Sequence, residues 1–186
     1  MTPLRSDRGF SMIETMFVTG LIGVIASIAL VQMGNSRPAL KGDGGMRVVL
    51  AQMNQARELA ITQRHYMRVV FTAPNQLQVV REDTLLTTTV LSTALIEGGV
   101  EYGLITGLPD TPDAFGQSAP ISFGSATNVK FAPDGTLVNQ DGRTTNGSVF
   151  VEWQHIKLSA RAVTVLGSTG RVRGYRWDGR NWKLVS

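Results

Sequence analysis

The sequence predicts an α+β fold, with a long apolar N-terminal helix leading into an amphipathic helix packed on antiparallel β-sheets in a sandwich-like domain. Three observations predict it. An uncharged apolar run near the N terminus is long enough for a membrane helix. The stretch that follows repeats its apolar residues at helical spacing, and the rest of the chain breaks into short alternating or apolar runs separated by Gly, Pro, Asn and Asp.

Composition bounds the first element and what it carries. With 186 residues and 42% hydrophobic content, the chain has room for one modest domain beside its N-terminal segment. The absence of cysteine removes disulfides, thiolate nucleophiles and cysteine metal sites. A net charge of +4 permits an anionic partner such as nucleic acid or lipid headgroups without demanding one.

From Thr15 to Ser36 no side chain is charged. About 22 residues at about 1.5 Å each cover about 33 Å, enough to cross a hydrocarbon core. A secretory signal peptide is the rival reading, but it places a small-residue cleavage site after a shorter apolar core, whereas Gly9 precedes this one. Arg5 and Arg8 lie before the run and place Met1 in the cytoplasm, a bias that Arg37 and Lys41 beyond it weaken. Gly20, Gly23, Ala26 and Ser27 put small side chains along one helix face, which suits either close helix packing or the ordinary composition of membrane helices. Glu14 is the anomaly. An ionisable group in such a segment costs at least a few kcal/mol unless it finds a partner, and Arg8, six positions earlier, is not at an intrahelical pairing distance. The missing cation is therefore expected from another molecule.

The residues Gly9 and Phe10, followed by SMIE and the apolar run, resemble the processing site of type IV pilins and of type II secretion pseudopilins. The resemblance implies that a prepilin peptidase of the inner membrane cuts between Gly9 and Phe10 and methylates the new amine of Phe10. Glu14 then becomes the fifth residue of the mature chain, and its carboxylate meets the N-terminal ammonium of a neighbouring subunit, so that neither charge is left unpaired in apolar surroundings. The alternative is an ordinary signal anchor with Glu14 near the headgroups. The implied organisation is a leader at 1–9, a membrane and filament-core helix at 10–33, a hinge at 34–45 and a soluble domain at 46–186 facing the periplasm.

The hinge expectation rests on GNSRPALKGDGG, residues 34–45, whose four glycines and one proline predict that the helix ends or bends there. In residues 46–67, Met46, Leu50, Met53, Ala56, Ala60 and Ile61 recur at three- and four-residue steps and form one buried helix face. Within it, Arg57, Glu58 and Ala60 resemble the helix end of the GspH/FimT branch of minor pilins and pseudopilins. Strands are expected at YMRVVFT, QLQVVRE, TLLTTTVLS, PISFG, NVKFA, TLVN, SVFVEW, RAVTVLG and RVRGYRW. Pro133-Asp134-Gly135 supplies a turn between two of them and is similar to a turn of the same branch. The segment from Gly98 to Ser125, rich in glycine and proline, is expected as a long surface loop, a lateral contact for a neighbouring subunit. Its Asp110 and Asp113 are read as solvated rather than as calcium ligands.

The C-terminal stretch GRVRGYRWDGRNWKLVS carries Arg171, Arg173, Arg176, Arg180 and Lys183 against the single acid Asp178. Asp178-Gly179 signals a two-residue hairpin turn, pairing Trp177 with Arg180, Tyr175 with Trp182 and Arg173 with Leu184. Arginines could then neutralise phosphates while Tyr175, Trp177 and Trp182 stack bases; the alternative is that these aromatics pack on the sheet. Gly170-Arg171-Val172-Arg173 is similar to the GRxR motif of FimT-type minor pilins, and the resemblance implies DNA capture during natural transformation. A GspH-like minor pseudopilin of a type II secretion system is the competing implication. Implied partners are prepilin peptidase, other pilins or pseudopilins, DNA and the inner membrane. No zinc-protease, nucleophile-elbow or P-loop motif is present, and His65 and His155 read as polar residues at element ends, so neither an enzyme nor a metal or cofactor site is expected.

Overall fold

The computed structural model describes residues 11–83, 87–124 and 129–185. Phe10 and the expected leader at 1–9, Gly9 included, lie outside the described residues, as do the first residues of two expected strands. The chain divides into two compact units, Met1–Arg37 and Pro38–Ser186.

Helix α1 runs from Met12 to Gln63 and contains Pro38. Of the end or bend expected within 34–45, the end is corrected, because helical backbone runs through that segment, inside which the boundary between the two units falls. The physical reason lies in the packing of two of its four glycines. A Cβ on Gly42 would stand 2.1 Å from the Ser159 carbonyl oxygen, and one on Gly45 would stand 2.6 Å from a Val100 methyl. These positions are glycine because other elements approach closely there, and that packing offsets glycine's weak helix propensity of about 1 kcal/mol per residue. The helix also stops earlier than the expected 67. Arg64 takes a left-handed φ of 55°, which closes the helix, and Tyr66 opens the first strand.

Eleven strands follow among the described residues: β1 (Tyr66–Thr72), β2 (Gln76–Glu82), β3 (Thr88–Leu95), β4 (Val100–Tyr102), β5 (Ile121–Ser122), β6 (Val129–Phe131), β7 (Leu137–Val138), β8 (Gly147–Trp153), β9 (Arg161–Leu166), β10 (Arg171–Trp177) and β11 (Trp182–Leu184). They form two antiparallel sheets, one ordered β3-β2-β1-β6-β7 and the other β11-β10-β9-β8-β4, with β5 also pairing β8. The α+β class and the antiparallel pairing match the sequence expectation. One core joins them: Met46, Leu50, Met53, Ala56 and Ala60 of α1 pack with Met67 and Phe131 of the first sheet and Val149 and Val163 of the second. Each such buried large apolar side chain contributes about 1.5–3 kcal/mol. Ile61, expected on this face, is 42% exposed.

The second sheet is buried on its other face too. Ile105 and Leu108 cover Phe150, Ala162, Tyr175, Trp177 and Trp182 in a separate apolar cluster. The segment 98–125 is thus not a free surface loop. It contributes β4 and β5, and two carboxylates fix it. Asp110 accepts the backbone N–H groups of Thr111 (2.7 Å) and Gly116 (2.9 Å). Asp113, expected to be solvated, accepts from Thr164 Oγ1 at 2.6 Å, from Arg173 at 2.9 Å and from the Tyr175 hydroxyl at 2.9 Å.

Candidate functional site

Of the N-terminal site, the structure describes Glu14. It lies in the first turn of α1, where its backbone N–H donates to the Ser11 carbonyl at 3.0 Å. A carboxylate here suits the positive end of the helix dipole. Glu14 is exposed and makes no ion pair among the described residues. Beyond it, Met12–Leu30 is long and apolar enough to cross a membrane, and none of it is buried within the chain. Large side chains including Phe17, Leu21 and Ile25 are all more than half exposed, and a Cβ on Gly20 or Gly23 would meet nothing within 4 Å.

The basic C-terminal residues form a hairpin, but not with the expected register. Tyr175 pairs with Leu184, Arg176 with Lys183 and Trp177 with Trp182. The connection is Asp178–Asn181, and Asp178 organises it: Oδ1 accepts the backbone N–H groups of Arg180 and Asn181, both at 2.8 Å, and Oδ2 pairs with Lys183 at 2.9 Å. Those donors hold the Asp178 carboxyl well below the usual carboxylate range. A carboxylate that closes a four-residue loop in this way competes with the two-residue turn that Asp-Gly otherwise favours.

The aromatics are buried beneath the segment that crosses the outer face of the second sheet. Tyr175, Trp177 and Trp182 are 3%, 7% and 8% exposed, the two tryptophans meet edge to face at 5.5 Å, and the Trp182 indole N–H donates to the Pro109 carbonyl at 2.8 Å. Stacking of bases on these rings is thereby corrected, since the faces that would receive a base are occupied. The cations are dispersed. Arg173 pairs with Asp113 on the outer face of β10, while Arg176 pairs with Asp43 of α1 at 3.7 Å on the inner face. Burial pushes the Asp113 carboxyl up, but hydrogen bonds from Thr164, Tyr175 and Arg173 outweigh it and hold the group below its ordinary value. Arg171 and Arg180 are exposed and make no ion pair among the described residues.

Three stretches that carry the family resemblance meet at one place. Arg57 Nε donates to the Gly135 carbonyl at 3.3 Å. Gly135, in the expected Pro-Asp-Gly turn, has φ +82°, and Gly170, with φ +61°, leaves so little room that a Cβ would stand 1.9 Å from the Gly135 carbonyl oxygen. The glycine of the Gly-Arg-x-Arg stretch is thus required by packing against the turn. Glu58, beside Arg57, is exposed.

Sequence reasoning missed two polar groupings. One is Arg161, fully buried, whose Nε donates to Asp43 at 2.6 Å and whose other nitrogens donate to the Leu158, Ala160 and Ala39 carbonyls. Burial pulls its pKa below the ordinary arginine value, and Asp43 opposes that fall. The other is Glu101, Glu152 and His155, from two strands and a turn. Neither is legible as a local motif, because Asp43 lies far from Arg161 in sequence and Glu101 lies far from Glu152 and His155.

Comparison with known proteins adds no relative: no protein-family model matches the chain, and neither a curated protein nor a solved structure is found to be similar to it.

Proposed function

We propose that the chain is a subunit of a type IV filament, a minor pilin anchored in the inner membrane by α1 before assembly. The observation that carries this reading is the first turn of α1: a lone carboxylate, Glu14, heads a helix stretch whose large apolar side chains have no cover within the chain. A bilayer covers such a surface before assembly and neighbouring helices cover it afterwards, and an ammonium from an adjoining subunit neutralises the acid. The Gly9-Phe10 junction supplies that ammonium once it is cut. The secretion pseudopilin reading uses the same anchor and the same cut.

Mass spectrometry of the mature protein checks this. The expected chain begins at an N-methylated Phe10, and Glu14→Ala stays in the membrane fraction but is lost from filaments. A mature protein that retains Met1 through Gly9 overturns the reading.

DNA capture by the hairpin, on this reading, is electrostatic only, since its rings are covered and the exposed guanidinium groups of Arg171 and Arg180 remain for phosphates. The detergent-solubilised full chain is expected to shift duplex DNA at low salt and to release it as salt rises. Arg171→Ala and Arg180→Ala are each expected to lower the salt slope by about 1. An unchanged slope in the double variant excludes this hairpin as the contact.

A further inference from the structure

Strands β4 and β8 set two carboxylates face to face, because Glu101 stands opposite Glu152 in the antiparallel ladder. Directly opposed like charges destabilise a strand pair, and the cost is greater here because Glu152 is only 1% exposed. Its Oε2 accepts the backbone N–H of His155. Its Oε1 meets no well-aligned hydrogen-bond donor and pairs with the exposed His155 imidazole, whose Nδ1 stands 3.1 Å away. Buried polar oxygens are almost always given a donor or a cation, and His155 is placed either to supply it or to share a cation with this carboxylate.

The surrounding backbone keeps a place for it. Gln154 and His155 both take left-handed φ values, 51° and 55°, which fold the turn after β8 back so that His155 reaches the carboxylate three residues before it. Gly103 has no side chain to intrude, and a Cβ there would stand 2.7 Å from Glu152 Oε1. One donor atom from each of Glu101, Glu152 and His155 lies within 4.8 Å of the other two. Ligands held about 2.0–2.2 Å from a tetrahedral zinc ion are separated by about 3.3–3.6 Å, a little more than the 3.1 Å between His155 Nδ1 and Glu152 Oε1.

We propose that Glu101, Glu152 and His155 bind a zinc(II) ion, with water completing its coordination, and that the ion fastens the edge strand β4 to β8 and the turn beyond it. An imidazole with two carboxylates suits zinc. Calcium takes six to eight oxygen ligands, and magnesium rarely accepts a histidine. The cation also removes the repulsion between the opposed carboxylates. Direct pairing of His155 Nδ1 with Glu152 Oε1, with no metal between them, is the competing arrangement.

The test uses the full chain in detergent, stripped with EDTA, dialysed, and titrated with zinc chloride by calorimetry and by thermal melting. Expected are one saturable site per chain and a melting temperature raised by zinc but not by an equal concentration of calcium chloride. His155→Ala is the primary variant, because that side chain is 79% exposed and its loss removes little packing. It and Glu101→Gln are each expected to weaken zinc binding by at least about 10-fold, while His65→Ala leaves binding unchanged. Absence of a saturable site in the wild type overturns the proposal in favour of the direct pairing of His155 with Glu152. Wild-type affinity in both His155→Ala and Glu101→Gln overturns it as well, since zinc would then be held elsewhere.

Discussion

Asp43→Ala is expected to destabilise the domain by about 3–5 kcal/mol, the usual cost of removing one partner from a buried ion pair. Asp43 serves two cations at once, because Arg161 and Arg176 stand opposite each other on β9 and β10 and turn to its two oxygens at 2.6 Å and 3.7 Å. Without it, two like charges are left facing each other, one of them fully buried. The melting temperature of the detergent-solubilised chain should fall on the order of 10 °C. Arg161→Met in the Asp43→Ala background should recover only part of this, because Arg161 also donates to the Leu158, Ala160 and Ala39 carbonyls, and a thioether cannot. Wild-type melting in Asp43→Ala contradicts the account.

Gly170→Ala is expected to cost about 3 kcal/mol or more, combining a left-handed backbone penalty of about 1–2 kcal/mol with overlap against a backbone atom. The control is Gly142→Ala. Gly142 has φ +77°, but a Cβ there meets nothing within 4 Å, so only the backbone penalty applies. Equal losses in the two variants, read by denaturant titration, would show that the contact between Gly170 and the Gly135 turn carries no weight. The comparison also bears on DNA binding, since a Gly170 variant that binds poorly does so through misfolding of the motif.

The expected strands were legible because alternation and β-branched residues report burial locally: β1, β2 and β10 run over the same residues that the pattern predicts. The helix through 34–45 was not. Its four glycines argue for a break on propensity alone, and the contacts that overrule that argument come from Ser159 and Val100, far along the chain. Asp178-Gly179 marked the hairpin but not its loop length, which the carboxylate of Asp178 decides. Whether Tyr175 and Trp177 face a ligand or a core depends on what lies above β10, and Asp113 reaches that face from 60 residues away. Of the N-terminal site, the opposite holds. Glu14 stands out by position alone, as the acid at the head of an uncharged apolar run, whereas Gly9 and Phe10 lie outside the described residues.

The outer flank of the second sheet is roofed by the excursion between β4 and β5, which Asp113 rivets to β9 and β10. A neighbour docking from that side therefore touches a connection rather than strands. Connections tolerate substitution and changes of length far better than ladders do, so exposed residues of this excursion can be exchanged while the tryptophan-lined layer underneath stays in place.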